Sequence, residues 1–318
     1  MRLFEQELRK RLTAEGLRKL LLLEKERRGI DHSKLVFVGM ANIGHYWWCA
    51  MQSVLKSVEG ELEFFGAYLM DRLLYSYQLG YITVLPRETE AWLEIGSRIT
   101  FDEIETLLRA KTEKTDKLLK GAKGENKIDI QVISLDTTDN AGNIITLLNP
   151  MLSSQEKDYF AAEAQARGRQ AVSWDDASLP PKIRGQIQQM SKAEKYPTIR
   201  WNFVWHDYVV VGVPDGITDS FVYEFKSTAS RFLSNYIKPV ALAQGDLYGY
   251  FFRRRRKRVQ IYVVEYESTQ TWDEIVGEER AIETLNEFER INKGELAKSP
   301  RAWKCKSCEF RSSCPIYT

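Results

Sequence analysis

The sequence predicts an α/β protein whose core contains a mixed β-sheet. The main observation is the order strand, strand, strand, helix, strand late in the 318-residue chain, with helical segments before and after it. A second is the hydrophobic content of 43%, which lets a chain of this length bury a core without disulfide bonds. The 46 basic and 44 acidic residues nearly cancel, so the net charge of +2 does not by itself indicate a nucleic-acid partner.

Helical periodicity dominates the N-terminal part of the chain. The first predicted helix contains four consecutive leucines, but it is rich in charge and lacks both a cleavable signal pattern and an apolar run of membrane length. We therefore expect a cytoplasmic protein without a membrane partner. The predicted helices span residues 1–29, 42–57 and 59–77.

The middle of the chain alternates helical pieces with one predicted strand pair. Strands at 127–135 and 143–149 flank the turn-forming stretch TTDNAGN. Short helices are predicted at 101–111 and 155–166. No repeat or low-complexity tract marks this segment, and its pattern indicates no function.

The C-terminal part carries the clearest strands. Two alternating segments read as a hairpin that turns at His206 and Asp207. The hairpin strands are 198–206 and 207–217, followed by a strand at 221–227, a helix at 237–254, a strand at 258–267 and a helix at 271–293.

Two carboxylates and a lysine lie on neighbouring predicted strands. Asp215 ends one strand and Glu224 lies on the next, so a tight hairpin would bring the carboxylates side by side. Lys226 follows Glu224 by two residues and therefore shares its face of the strand. Carboxylate oxygens suit Mg²⁺ or Mn²⁺, and a neighbouring lysine can orient or help deprotonate water and stabilise charge on phosphate. This is equipment for phosphodiester hydrolysis, although the same residue types also occur on solvated strand faces.

Gln244 and Tyr248 support the functional interpretation. They are four residues apart on the next predicted helix, so they share one face of it. An ordinary buried helix face would give the same pattern.

Four cysteines form the second candidate site. In a cytoplasmic protein thiols stay reduced, so clustered cysteines favour a metal site over disulfides. Four thiolates suit either a zinc ion or an iron–sulfur cluster, and unliganded thiols are the remaining alternative. The cysteines are Cys49, Cys305, Cys308 and Cys314.

Together these motifs resemble the RecB-like branch of the PD-(D/E)XK nucleases. Within that branch the chain is most similar to the iron–sulfur exonuclease family of CRISPR systems, the fourth in the Cas numbering. The likeness covers roughly residues 39–80 and 199–318. The motifs are Gly212-x-x-Asp215, Glu224-x-Lys226, Gln244-x-x-x-Tyr248, and Cys305-x2-Cys308-x5-Cys314 with the upstream Cys49.

The resemblance implies a restriction-endonuclease-like core and a C-terminal metal clasp. Its regions are an N-terminal helical part at 1–80 with one cluster ligand, an insertion of unknown role at 81–198, the nuclease core at 199–297 and an iron–sulfur segment at 298–318. The four cysteines would hold one 4Fe-4S cluster.

The resemblance also implies roles for the remaining site residues. Asp215, Glu224 and the Phe225 carbonyl would bind Mg²⁺ or Mn²⁺, and Lys226 would support the attacking water. The residues lining the DNA site would be Gln244 and Tyr248.

The expected function is a metal-dependent DNA nuclease, acting on single-stranded ends. In the CRISPR setting it would process DNA for spacer acquisition together with the integration proteins. A general recombination or repair nuclease would share every motif, and a non-catalytic DNA-binding scaffold is the rival from another class. The sequence leaves the oligomeric state open.

Two features complicate the resemblance. Met70 stands where the family usually has a histidine ligand, and a thioether is a poor ligand for a hard cation. The histidines of this chain, His32, His45 and His206, lie outside that position and are interpreted as surface or core residues. The basic run 253–258 could grip a phosphate backbone, or it could be a solvated helix end favoured by the helix dipole.

Overall fold

In a computed structural model, the chain adopts a fold of the α/β class with mixed sheets. The structure describes residues 13–78, 134–138, 143–148, 154–180, 200–218 and 220–317, together with the single positions 150, 152, 183, 184 and 196. In these stretches, no helix combines the length and the apolar character that crossing a membrane requires.

The N-terminal part packs helices against one short strand. The helices differ from the predicted ones: residues 42–57 and 59–77 do not form two helices, because the chain breaks earlier, at an aromatic 3₁₀ turn, and then continues as one helix through Gly60. Packing of this helix on the first strand overrides the glycine, with the rings of Phe37 and Phe65 at 4.9 Å. The elements are α1 (Ala14–Arg27), β1 (Phe37–Gly39), α2 (Met40–Gly44), the 3₁₀ turn His45–Trp47 and α3 (Ala50–Gln78).

A buried ion pair fixes α1 against α3. The ammonium of Lys25, 3% exposed, lies 2.7 Å from the Glu61 carboxylate. The other carboxylate oxygen of Glu61 accepts a hydrogen bond from the Val36 N–H at 2.6 Å, just before β1. One side chain thus ties two helices and a strand together.

The middle of the chain forms a small sheet of its own. The predicted strand at 143–149 and the predicted helix at 155–166 are confirmed. A further strand, which the sequence did not predict, pairs parallel with the strand at 143–149. The other predicted strand pairs antiparallel with it, but extends to Thr138, into the predicted turn.

The predicted helix at 101–111 lies outside the described residues. The elements are β2 (Ser134–Thr138), β3 (Ile144–Leu148), α4 (Ser154–Ala166) and β4 (Gln170–Ser173).

The C-terminal part builds two further sheets, ordered β1-β6-β5 and β10-β9-β8-β7. The predicted hairpin is confirmed, with Trp205 opposite Tyr208 and His206 in the left-handed region at φ 49°. In the larger sheet β8 and β9 are parallel, and the outer pairs are antiparallel. The strands are β5 (Trp201–Trp205), β6 (Tyr208–Gly212), β7 (Gly216–Ile217), β8 (Phe221–Thr228), β9 (Arg256–Val263) and β10 (Ser268–Ile275).

Three helices complete this part: α5 (Arg231–Phe252), α6 (Glu278–Asn292) and α7 (Ala302–Lys306). The helix α5 begins earlier than predicted, because the Ser230 hydroxyl caps it by accepting a hydrogen bond from the Leu233 N–H. The predicted helix at 271–293 is wrong in its first part, since residues up to Ile275 pair with β9 along all of β10.

The central helix α5 positions the candidate site. Every residue from Val240 to Gly249 is buried, as expected for a helix surrounded by other elements rather than lying on a surface. It packs against β8, β9, α2 and α6. Residues on different faces of α5 therefore meet different parts of the core.

Candidate functional site

The β7–β8 hairpin brings Asp215 and Glu224 together, as predicted. Gly216 pairs with Tyr223, so the next position outward in the ladder places Asp215 opposite Glu224. The Asp215 carboxylate accepts a hydrogen bond of 2.7 Å from the Phe225 N–H. Although Asp215 reaches solvent, the protein atoms around its carboxyl group raise its pKa, an effect that Lys226 and the Phe225 N–H partly offset.

The Glu224 carboxyl group and the Lys226 ammonium are in contact beside Asp215. Glu224 is only 2% exposed, and burial raises its pKa to about 8 against the opposing effect of the Lys226 charge, with Asp215 raising it further. Burial acts to lower the pKa of Lys226, but the charges of Glu224 and Asp215 outweigh it and raise that pKa. The Lys226 side chain keeps 31% of its surface exposed, so a cationic group at this pair reaches solvent.

Gln244 lies on α5 one turn before Tyr248, and its side chain contacts α2. Its Nε2 donates to the Ala41 carbonyl at 2.9 Å, and its Oε1 is buried without a hydrogen-bond partner. A buried, unsatisfied acceptor is costly, which is typical of a functional position. The helix α2 approaches so closely that a Cβ at Gly44 would lie 2.5 Å from the Gln244 Cγ, so only glycine fits there without displacing Gln244.

Tyr248 lies one turn further along α5 and is 3% exposed. Burial raises its pKa well above the ordinary value, and the charges of Glu224 and Asp215 raise it further. The phenol therefore stays protonated near the two carboxylates. The predicted set Asp215, Glu224, Lys226 and Tyr248 forms one electrostatic cluster.

His45 is the residue near this cluster that the sequence interpretation did not select. Burial lowers its pKa to about 4, as do the charges of Lys56 and Lys226, and its Nε2 lies 3.1 Å from the Gln52 Oε1. Met70 is buried in α3 with 4% exposure. Periodicity could not have distinguished His45, because its proximity to Lys226 depends on how α2 and α5 pack.

The donor set at the carboxylates suits a hard divalent cation. Among the residues that the structure describes, no group of three or more His, Cys, Asp or Glu side chains is arranged to hold a metal ion. At the hairpin, Asp215 and Glu224 would contribute two carboxylates, and Phe225 would contribute its carbonyl. Mg²⁺ and Mn²⁺ prefer such oxygen ligands, and water and a substrate phosphate would be the other ligands. A buried carboxylate with a raised pKa is the group that a cation would stabilise most.

All four cysteines line one cavity between the start of α3 and the C-terminal segment. None of them is in a disulfide. The turn after α7 brings Cys305 and Cys308 together, with a hydrogen bond of 3.2 Å from the Cys308 N–H to the Cys305 carbonyl. Apolar side chains complete the wall, including Leu55, Phe310 and Ile316.

Polar contacts join the start of α3 to the C-terminal segment at this cavity. The Lys304 ammonium donates to the Trp48 carbonyl at 2.8 Å. Glu309 accepts from the Gln52 amide at 3.4 Å and forms an ion pair with Lys56 at 3.1 Å. The C-terminal segment is therefore docked on α3 by contacts that do not involve the thiols.

Cys49 immediately precedes α3, and its carbonyl accepts the Ser53 N–H. Burial raises the pKa of its thiol, the N–H groups of Gln52 and Met51 partly offset this, and the nearby Cys308 and Cys314 add to the rise. A helix N-terminus stabilises a thiolate, and a coordinated cation deprotonates a thiol outright. Without a cation, the raised pKa keeps the Cys49 thiol protonated.

The basic run 253–258 does not form one continuous surface. Arg254 donates to the Thr218 carbonyl at 2.7 Å, Lys257 is buried against Asp246, and Arg258 pairs with Asp273 at 2.8 Å. Arg256 lies opposite Phe221, at the far end of β8 from Lys226. The exposed arginines of the run are Arg253, Arg255 and Arg256.

Comparisons with known proteins give little. No family model matches the chain, and no curated protein matches it. One similar solved structure is described as the crystal structure of SSO0001, with 16% sequence identity and a TM-score of 0.32. The alignment covers 64% of this chain and 98% of that chain. A TM-score this low supports no inference about the fold or the function of this chain.

Proposed function

We propose that the chain is a divalent-metal-dependent DNA nuclease with a PD-(D/E)XK core. The observation that carries the proposal is the juxtaposition of Asp215, Glu224 and Lys226 at the open end of one hairpin. The buried helix α5, which carries Gln244 and Tyr248, packs against the strand of Glu224 and Lys226. Two carboxylates with raised pKa values beside a lysine, one of them buried, are typical of functional sites. They also match the chemistry of phosphodiester hydrolysis.

The carboxylates of Asp215 and Glu224, with the Phe225 carbonyl, would hold Mg²⁺ or Mn²⁺. When bound, such an ion neutralises phosphate charge and lowers the pKa of water. Glu224 must give up its proton to act as a ligand, and the neighbouring Lys226 charge favours that ionised form. The raised pKa therefore makes cation binding pH-dependent.

Lys226 acts electrostatically. Because its pKa is raised, its ammonium stays charged at neutral pH and does not accept a proton. A positive group that reaches solvent can orient a water molecule and stabilise charge developing on a phosphate. Tyr248 remains a neutral hydroxyl donor, and the unsatisfied Gln244 Oε1 can accept a hydrogen bond from water or a base.

The four cysteines would hold a 4Fe-4S cluster with a structural role. The cavity that they line sits between two segments about 250 residues apart in sequence, so a bound cluster acts as a long-range cross-link. Zinc would form the same clasp, and elemental analysis of protein purified under anaerobic conditions separates the two.

The resemblance suggests a place in CRISPR spacer acquisition, with integration proteins as partners. A general repair nuclease would use the same residues, and copurification with an integrase distinguishes them. The absence of the family's histidine at Met70 favours the third alternative, a scaffold that binds DNA without cutting it.

Labelled DNA decides between nuclease and scaffold. Single-stranded and duplex 30-mers are incubated with anaerobically purified protein and Mn²⁺, Mg²⁺ or EDTA. We expect metal-dependent shortening of the single strand. Binding without cleavage at any metal concentration would contradict the nuclease proposal and support the scaffold.

A further inference from the structure

Four aromatic rings form a surface cluster where the start of α5 meets the C-terminal segment. We call it the aromatic patch. The Trp303 ring lies 5.1 Å from the Tyr236 ring, 5.6 Å from Trp48 and 5.8 Å from Phe232, and the rings of Phe232 and Tyr236 are 5.1 Å apart. The members of the aromatic patch are Trp48, Phe232, Tyr236 and Trp303.

Lys304 and Arg301 place positive charge against these rings. The Lys304 ammonium lies 4.3 Å from the centre of the Trp48 ring, 5.4 Å from Tyr236 and 5.9 Å from Trp303. Arg301 stacks over Tyr236 at 5.4 Å and donates to its hydroxyl at 2.8 Å. The Glu265 carboxylate also contacts this end of α5, where it accepts a hydrogen bond from the Arg231 N–H.

Phe232 projects into solvent, with 58% of its surface exposed. A large apolar side chain this exposed adds little to the packing that docks the C-terminal segment. Isolated exposed apolar residues are ordinary, but an exposed ring continuous with three others and bordered by cations forms a platform.

A short stretch of chain joins the aromatic patch to the candidate active site. Phe232 follows Lys226 by six residues, so their Cα atoms are at most about 20 Å apart. On the other side of the patch, the Trp48 ring lies 6.3 Å from the His45 ring. His45 follows Gly44 of α2, which lies against Gln244 of α5. A chain bound on the patch would therefore have one end within reach of the carboxylates.

We propose that the aromatic patch is a stacking platform for the bases of single-stranded DNA, which holds the strand as its end enters the active site. The inference rests on the proposed function and assigns a binding surface to its single-stranded substrate. Every base presents a π-face to an aromatic ring, and cations beside the rings contact the phosphates without selecting a sequence. Duplex DNA has its bases stacked internally, so it gains nothing from these rings.

Binding measurements in EDTA test the platform without cleavage. Fluorescence anisotropy follows a labelled dT 15-mer and an abasic 15-mer of equal charge, added to the full chain purified under anaerobic conditions. We expect wild type to prefer dT over the abasic strand. Phe232→Ala should raise the Kd for dT by about 5- to 150-fold and reduce the preference by the same factor, whereas Phe232→Trp should keep it.

Ile275→Ala is the matched control. Ile275 is 80% exposed and lies at the opposite end of the sheet, opposite Arg256 in the β9–β10 ladder, so its loss should leave both Kd values unchanged. Equal melting temperatures and iron contents of the variants exclude damage to the fold.

The outcomes for the platform and for the nuclease are separable. Wild-type affinity for dT in Phe232→Ala, equal affinity of wild type for both strands, or no binding by wild type would overturn the platform. Cleavage by wild type in the same preparation tests the proposed function by itself. If wild type cuts DNA but Phe232→Ala binds dT as wild type does, the proposed function stands and the platform is wrong.

Discussion

Replacing Cys49 by alanine should open the clasp between the two chain ends. Cys49 and Cys305 are 256 positions apart, and closing a loop of that length costs an unfolded chain about 5–6 kcal/mol of conformational entropy. The hydrogen bonds from Lys304 to Trp48 and from Gln52 to Glu309 remain in the variant and hold part of the C-terminal segment in place. We therefore expect a loss of about 2–5 kcal/mol, in the range seen for native disulfides.

The melting temperature reports this loss. For a chain of this size about 1 kcal/mol corresponds to roughly 2 °C, so Cys49→Ala should melt about 4–10 °C below wild type. Circular dichroism under anaerobic conditions measures the transition, and iron and sulfide analysis measures the cluster. Ser312→Ala, an exposed substitution in the same segment, is the control and should change neither quantity.

Two results would refute this reasoning. A Cys49→Ala protein that keeps its full iron content would show that Cys49 is not a ligand. A variant that loses its metal but has the melting temperature of wild type would show that the clasp does not stabilise the fold. Zinc in place of iron in wild type would overturn the cluster assignment alone.

Three further predictions concern the core and the active site. Asp246→Ala leaves the buried Lys257 ammonium without its closest partner and should cost about 3–5 kcal/mol in urea denaturation, against a negligible effect of Asp207→Asn at the exposed hairpin turn. Burial raises the pKa of Glu224 to about 8, so in EDTA the folded protein holds a proton that the unfolded chain releases, and unfolding free energy should fall between pH 5 and 8 by on the order of 1 kcal/mol per pH unit. Glu224→Gln should flatten that slope, and parallel pH profiles would contradict it. Gly44→Ala should push Gln244 aside and lower DNA cleavage at least about tenfold, while Gly29→Ala, where nothing lies within 4 Å of a Cβ but φ is +67°, should affect stability only.

The parts of the structure that follow from local pattern were predictable. The hairpin at His206 and the strand carrying Glu224 and Lys226 depend on period-2 alternation and a short turn, and the structure confirms both. Because the same hairpin sets the distance between Asp215 and Glu224, the meeting of the two carboxylates also followed from the sequence.

The parts of the structure that depend on tertiary packing could not be predicted from the sequence. The strand β10 has an alternation of exposed and half-buried residues that was misread as helical, and only its ladder with β9 fixes it as a strand. The helix α3 continues through Gly60 because β1 packs against it. The convergence of Cys49 with the C-terminal cysteines could be expected only from the resemblance, since no local rule joins segments so far apart.

Cleavage by Glu224→Gln tests the central claim most directly. The substitution keeps the size of the side chain and removes the charge of the buried ligand, and Glu283→Gln on the exposed face of α6 is the matched control. With single-stranded DNA and saturating Mn²⁺, we predict that Glu224→Gln cuts more than about 100-fold slower than wild type while its iron content is unchanged, and that Glu283→Gln cuts normally. Cleavage by Glu224→Gln at the wild-type rate would contradict the assignment of this hairpin as the active site.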